Sequence, residues 1–406
     1  MIYHYSSYNV DIKELSFVSD QGRKYPRTAI LTLMNEKGEV TGTDLLGNLS
    51  MDEIYKLIEK GEPLNPDYCY VEDFSLSQYR VKKGFDRKSL VELKSVSAKH
   101  AFFDSRQATD FSYADFGEGP TTFEGSHFAR GKVIFSSSRF GTGSVSFAGI
   151  QVVGGNIEFS GCRFGNGDFI FKNAIIHEGV KDFQDIIFGE GEVNFANTEF
   201  SSGDLLFINT HFGDGKFIFK IARIESGRID FRFASFGRGD VVFERAEFGS
   251  SRVDFRAVDF GNGRVNFNRS LFGDGDITME GASFSGSKFY FRSAVMGSGM
   301  KDFSMMEMSS AEVNFARTDF GNGQMNFNTS KFRTLSLRSC HLDHYVDLRI
   351  SAADKLDLSD SIVRDIIDLE PFNADVKVKI LNLAGMRLLG NIYIDWTRNC
   401  CKESIS

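Results

Sequence analysis

The stretch Val253-Asp254-Phe255-Arg256-Ala257-Val258-Asp259-Phe260-Gly261-Asn262-Gly263-Arg264 is followed at once by Val265-Asn266-Phe267, where the pattern starts again. With Phe255 as the origin of its unit, the same residue recurs every 12 positions from Phe111 to Phe327. Of these 19 positions 18 are Phe, the exception being Met279. A second ladder runs five residues behind, from Phe116 to Phe332. It has Phe at 14 of 19 positions and Val152, Ile176, Ile224, Met296 and Met308 at the rest. A period this long without slippage means that each unit stacks on an equivalent one, so a solenoid is expected. Solenoids present a large surface and seldom a buried catalytic pocket, which directs the functional expectation toward binding.

Within the unit, the position two before the origin is usually Val, Ile, Leu or Phe (Val133, Val145, Ile157, Phe169, Val193, Leu205). The position three after it is mostly small (Ala114, Ser126, Ser138, Cys162, Ala174). Residues i and i+2 of a strand share a face, so each unit should hold two short strands with inward apolar–x–apolar pattern, separated by a bend. Gly stands at offset +8 in 15 of the 19 units and at offset +6 in 11. These Gly-x-Gly pairs are expected to be corners that need positive φ. The first glycine falls at 117, 141, 165, 189, 213, 237 and 261, which implies a coil of two units, or 24 residues.

Each unit contains a block of Phe, two variable residues, a small residue, one variable residue and Phe, as in Phe243-Glu244-Arg245-Ala246-Glu247-Phe248. This block resembles the repeat of pentapeptide-repeat proteins. The resemblance spans residues 111–332, extends more loosely over 333–396, and implies a right-handed quadrilateral β-helix with stacked Phe or Leu inside. In this chain five-residue steps alternate with seven-residue steps holding Gly-x-Gly, so two bulged corners are expected. The fold class is thus an all-β solenoid, a quadrilateral-type β-helix, with a small N-terminal α/β module.

Three regions are expected: 1–85 as the α/β capping and recognition module, 86–332 as the Phe-ladder helix, and 333–406 as irregular Leu/Ile coils with a cap. In the first, Ala29–Met34 and Glu39–Thr43 read as strands around a turn at 35–38, and Ser50-Met51-Asp52-Glu53 is a capping box opening a helix up to Gly61. Asp67 to Arg80 alternates and reads as the start of the strand-rich body. After Phe332 the inward residues become Leu and Ile, and caps are required because naked solenoid ends expose strand edges.

The net charge of −8 is mild for 406 residues, so neither nucleic acid nor an anionic membrane is an expected partner. Five scattered cysteines do not form a disulfide framework. The first residues lack a basic segment followed by an apolar run, and no 18-residue apolar stretch exists, which makes the cytoplasm the expected location.

Gly165-Asn166-Gly167-Asp168 and Gly273-Asp274-Gly275-Asp276 have the form of calcium-binding β-roll turns, but Asp does not recur in consecutive turns, so structural corners are expected. His341, Asp343 and His344, near Cys340 and Asp347, match no zinc spacing. No metal, cofactor or catalytic residue is expected, and the chain is read as a non-enzyme. The candidate interaction surface has two parts. Arg232, Arg245 and Arg256 belong to a basic stretch that the interspersed acids turn chiefly into ladders of opposite charge. Ile170, Ile218, Val242 and Tyr290 make an outward apolar stripe, open to a partner or covered by a loop or the N-terminal module. The apolar segment from Ile380 to Ile394 offers a homodimer surface. The leading expectation is a non-enzymatic scaffold for a protein partner. The resemblance implies a second, a rod that mimics duplex DNA and occupies gyrase or another type II topoisomerase. A third places an enzyme site in the N-terminal module.

Overall fold

The computed structural model describes residues 3–19, 21–371 and 376–395. Its contacts divide the chain into two compact units, Met1–Gly191 and Glu192–Ser406. Both are β-solenoids whose strands pair in parallel with the strand one coil earlier.

The first unit opens with an antiparallel sheet. Strand β1 (Ser7–Lys13) pairs with Arg27–Met34 in the register Ser7↔Met34 to Lys13↔Thr28, and Arg27–Met34 pairs with Val40–Asn48. The turn between them is held by the Asn35 Oδ1, which accepts from the backbone N–H groups of Lys37 and Glu39, and by Gly38 at φ 76°. Helix α1 (Met51–Glu59) carries both halves of the capping box between Ser50 and Glu53. The expected alternating strand over 67–80 is corrected in part. A strand runs only from Cys69 to Glu72, and Ser75 then caps helix α2 (Leu76–Lys83), which ends on Gly84 at φ 69°. The polar–apolar alternation there is a helix face docking around Arg80. That buried guanidinium donates to the Ser112 carbonyl and to the hydroxyls of Ser77 and Ser112.

The antiparallel sheet then becomes solenoid. Gly47–Asn48 pairs in parallel with Cys69–Tyr70, Tyr70–Glu72 with Phe102–Asp104, and Phe102–Phe103 with His127–Phe128. From there each coil holds four two-residue strands at even spacing, such as Val145–Ser146, Gln151–Val152, Ile157–Glu158 and Arg163–Phe164. Val145 pairs with Phe169, Gln151 with Ile175 and Ile157 with Lys181, so one coil spans two sequence units, as the glycine spacing implies.

Inside, rings one coil apart stack face to face. Phe111 and Phe135 lie 5.0 Å apart at 5°, and Phe123 and Phe147 lie 5.1 Å apart at 2°. Rings half a coil apart meet edge to face, as Phe123 and Phe135 do at 5.2 Å and 80°. The core is therefore a herringbone, the arrangement the ring quadrupole favours. The small offset +3 residues have a reason beyond space. Ser138 Oγ donates to the Phe111 carbonyl at 2.8 Å and Cys162 Sγ to the Phe135 carbonyl at 3.0 Å, tying each coil to the one before.

The second unit repeats this plan. Phe243, Phe267 and Phe291 stack at 4.5 and 4.6 Å. Ser270 and Ser330 donate to the carbonyls of Phe243 and Phe303. Beyond Phe332 the coil length changes while pairing persists. Met325 pairs with Val346 and Lys331 with Ala352, three short of the earlier spacing. Ala352 then pairs with Lys377 and Ile366 with Asn391, one beyond it.

The role given to Gly-x-Gly is corrected. Most of these glycines do not have positive φ; their need is close approach between coils. A Cβ on Gly143 would lie 2.4 Å from the carbonyl carbon of Gly119, and one on Gly263 would lie 2.0 Å from the Gly239 oxygen. Positive φ falls instead at offset +2, the third residue of a β-turn that bends each half-coil, and mostly on residues other than Gly. Arg245, Ala257 and Arg269 adopt 58°, 53° and 59°. The Val258 N–H closes one such turn on the Phe255 carbonyl at 3.3 Å.

Candidate functional site

In the second unit, Arg232 and Arg256 hold one-coil spacing but are bound down. The Arg232 Nε lies 2.9 Å from Asp230 Oδ1, and the Arg256 Nε 3.0 Å from Asp254 Oδ1. Asp230 and Asp254 are buried, and their carboxylates push both guanidinium groups further up. The same Asp oxygens accept the backbone N–H two residues on, so each also caps the turn. Neighbouring bases pair across coils. Arg228 reaches Asp204 at 3.1 Å, Arg264 reaches Asp240 at 2.6 Å, and Arg238 pairs with Asp214. Arg245 is elsewhere, half a coil from Arg232 and Arg256, on an exposed turn at φ 58° with Arg269 one coil on. The structure does not bring the three arginines into one patch.

Ile218, Val242, Asn266 and Tyr290 lie in register in one row of the second unit. Ile170 lies in the first unit, in the row of Thr122 and Ser146. All four stripe residues are half-buried. Their position in the unit, one before the origin, is a capping position. Asn194, Asn266 and Asn314 there each accept the backbone N–H two residues on at 2.9 Å. Ile218, Val242 and Tyr290 forgo that cap for an apolar surface. In the first unit the N-terminal sheet does not lie on the row of Ile170. Tyr3, Ala29, Leu31 and Leu46 pack instead against Tyr70, Phe102 and Ala129.

That packing builds a site which sequence reading missed. Tyr3 bonds Gln151 through its backbone N–H and carbonyl at 3.0 Å each. The Tyr5 hydroxyl lies 2.6 Å from His127 Nε2, whose Nδ1 lies 3.1 Å from Gln151 Oε1. Burial pushes His127 down to about 3, so the ring is neutral. Beside it, buried Asp104 accepts from the Tyr70 hydroxyl at 2.9 Å and from Arg130 Nε at 2.5 Å. The Arg130 guanidinium carbon stands 5.7 Å from the centre of the Tyr8 ring, and its side chain is 45% exposed. A cleft of about 530 Å³ runs along Tyr5 to Val10 and Ile12 on one wall, with Tyr70, Glu72, Asp104, Ala129, Arg130 and Val153 opposite. A second of about 380 Å³ shares Tyr5, Ser6 and Val153 and reaches His177. The only sequence signal was the run Tyr3-His4-Tyr5-Ser6-Ser7-Tyr8.

The other candidates resolve into structural roles. Asp274 Oδ1 caps Ser298 and Asp276 Oδ1 caps Met300, each one coil on at 2.9 Å. Asp343 pairs with Arg364 and Asp347 with Arg349, while Cys340 is buried and donates to the Phe315 carbonyl at 3.2 Å. Among the described residues no group of three or more His, Cys, Asp or Glu is placed to hold a metal. Burial pushes the thiols of Cys69, Cys162 and Cys340 up to about 12, while Cys400 and Cys401 lie outside the described residues. No described helix is long and apolar enough to cross a membrane. No family profile and no curated protein matches the chain.

Proposed function

We propose that this chain is a non-enzymatic, cytoplasmic scaffold that binds a protein partner, built on a widened pentapeptide-type repeat. The observation that carries the reading is the row Ile218, Val242 and Tyr290. It puts half-buried apolar side chains where the same row elsewhere uses Asn to cap the turn, and coil stacking holds them in one line. Surplus apolar surface in a position that favours a cap has its simplest use in an interface. The paired rungs Arg228–Asp204 and Arg264–Asp240 and the cationic turns at Arg245 and Arg269 count against a continuous acidic face, and so against DNA mimicry. A homodimer through the terminal coil belongs to the same proposal, since Ile380, Leu388 and Leu389 are 43%, 43% and 70% exposed there.

The test is the triple variant Ile218→Asn, Val242→Asn and Tyr290→Asn, which installs the residue that the row already tolerates. Cross-linked partner recovered by the parent chain and lost by this variant, with thermal unfolding unchanged, supports the reading. Equal recovery by both moves the interface elsewhere, and no recovery by either overturns the scaffold. Sedimentation of the chain as a monomer at about 100 μM removes the dimer.

A further inference from the structure

The two clefts beside Tyr5 share Tyr5, Ser6 and Val153, and the larger is a groove with an open strand edge as its wall. Among the described residues, β1 pairs with Arg27–Met34 and with no other strand, so the backbone groups on its far side face the groove. An unpaired edge is a template for another strand, and proteins usually guard one with charge or proline. Here Asp11 and Lys13, joined at 2.5 Å, guard only the far end. Tyr5-Ser6-Ser7-Tyr8-Asn9-Val10 has neither charge nor proline.

The floor supplies direction. Tyr5 sits by His127, while Tyr8 sits against Phe102, 5.3 Å between ring centres. The edge thus crosses successive coils rather than following one. In that direction Arg130, Asp104 and Glu72 follow one another on adjacent strands, by the pairings Arg130↔Asp104 and Asp104↔Glu72. Asp104 is buried and spent on Arg130 and Tyr70, which leaves a guanidinium at one end and the exposed Glu72 at the other. Two strand spacings put these charges about 10 Å apart on one face, so their partners on an added strand stand an even number of residues apart. A spacing of four, about 13 Å, leaves an apolar side chain on that face between them. The Arg130 Nη groups have no hydrogen bond among the described residues, its Nε being the atom that Asp104 uses.

We propose that this groove docks an extended segment of a partner protein as an added strand on the edge of β1. An acidic side chain of that segment meets Arg130, and a basic one four residues away on the same face meets Glu72. The tyrosines 5, 8 and 70 line the groove and receive the apolar side chain between. The proposal rests on the scaffold reading but uses a different surface from the Ile218 row, so the two fail separately.

The probe is a fluorescein-labelled, N-acetylated peptide of sequence Thr-Val-Glu-Thr-Val-Thr-Lys-Val, with a charge-exchanged version (Lys and Glu swapped) and one N-methylated at alternate amides. Polarisation titrations against the full chain should show saturable binding of the parent peptide. N-methylation should abolish it, because main-chain pairing supplies the affinity in strand addition. The Glu72→Lys variant changes an exposed residue and leaves the core alone. It should weaken the parent peptide about threefold, and Arg130→Glu with Glu72→Lys should reverse the preference between the two charged peptides by about tenfold. Hydrogen exchange should slow in residues 5–10 on binding. Binding that survives N-methylation, a charge preference that the double variant leaves unchanged, or no binding at about 1 mM peptide overturns the proposal. The cross-linking result on the Ile218 row is untouched by any of these.

Discussion

The second unit holds two kinds of coil, and they obey different rules of length. Where rings fill the core, every coil has the same length. Past Phe332, where Leu335, Leu337, Leu348, Leu356, Leu358 and Ile367 fill it, shorter and longer coils stack in register all the same. Face-to-face rings need their Cα atoms directly above one another, and the Gly-x-Gly corners admit only a backbone that follows the one below. Branched aliphatic side chains interdigitate in many ways and accept offset neighbours. Strict periodicity is thus a demand of ring stacking and close corners, and strand pairing alone does not impose it.

Substitutions in the two regions break or sharpen this contrast. Phe267→Ala removes a ring held between Phe243 and Phe291, and should cost roughly 4 kcal/mol in urea unfolding. Leu356→Ala in the aliphatic region should cost roughly 3 kcal/mol, since it leaves a smaller cavity. Gly239→Ala sets a Cβ 2.0 Å from the Gly215 oxygen and should cost roughly 3 kcal/mol. Its control, Gly281→Ala, meets no atom within 4 Å and bears only the strain of φ +67°, roughly 1 kcal/mol. If both glycine variants cost the same, close approach is not what fixes the corner.

Lys301 stands in the inward column Ile277, Lys301, Met325 and Val346, which runs from one region into the other. Its Nζ donates to the Gly297 carbonyl at 2.5 Å, and burial holds the ammonium down at about 8, against an ordinary value of 10.5. Between those values the unfolded chain binds more protons than the folded one, so this group's contribution to stability rises as pH increases from about 8 to about 10. Lys301→Met should stabilise the chain by roughly 2 kcal/mol at pH 7 and flatten that rise. Unfolding curves at pH 7, 9 and 10 read both effects, and an unchanged slope would sink the assignment. An effect as small as that of Gly281→Ala is expected for Asp254→Asn, which keeps the turn cap but weakens the pair with Arg256, roughly 1 kcal/mol by thermal unfolding. Asp254→Ala should cost about twice that, since the cap goes too.

The inward half of this fold was legible because stacking forces equivalent residues to repeat, so Phe111 to Phe327 and the regular glycine spacing reported the coil directly. The outward half was legible only where the chemistry is local, as in the capping box at Ser50. Positive φ at Arg245 and Ala257 left no signal, because the turn tolerates many side chains where only the backbone strains. The capping role one residue before the origin was hidden because Asp, Asn and Thr alternate there with Ile and Val. Interspersed acids pointed to ladders of opposite charge, whereas Arg232 and Arg256 take their closest partners, Asp230 and Asp254, two residues back in their own coil. The separation of Arg245 depended on which half-coil it entered. Of the groove on β1 only the tyrosine run at 3–8 showed, because its walls come from distant parts of the sequence and meet through side-chain packing.

The tie from each offset +3 hydroxyl or thiol to the previous coil has a consequence for how such a chain can change in length. Ser138, Cys162, Ser270 and Ser330 each look backward by one coil and carry no information about how many coils precede them. A gene encoding this repeat can therefore gain or lose whole coils by unequal recombination without breaking a single internal rule.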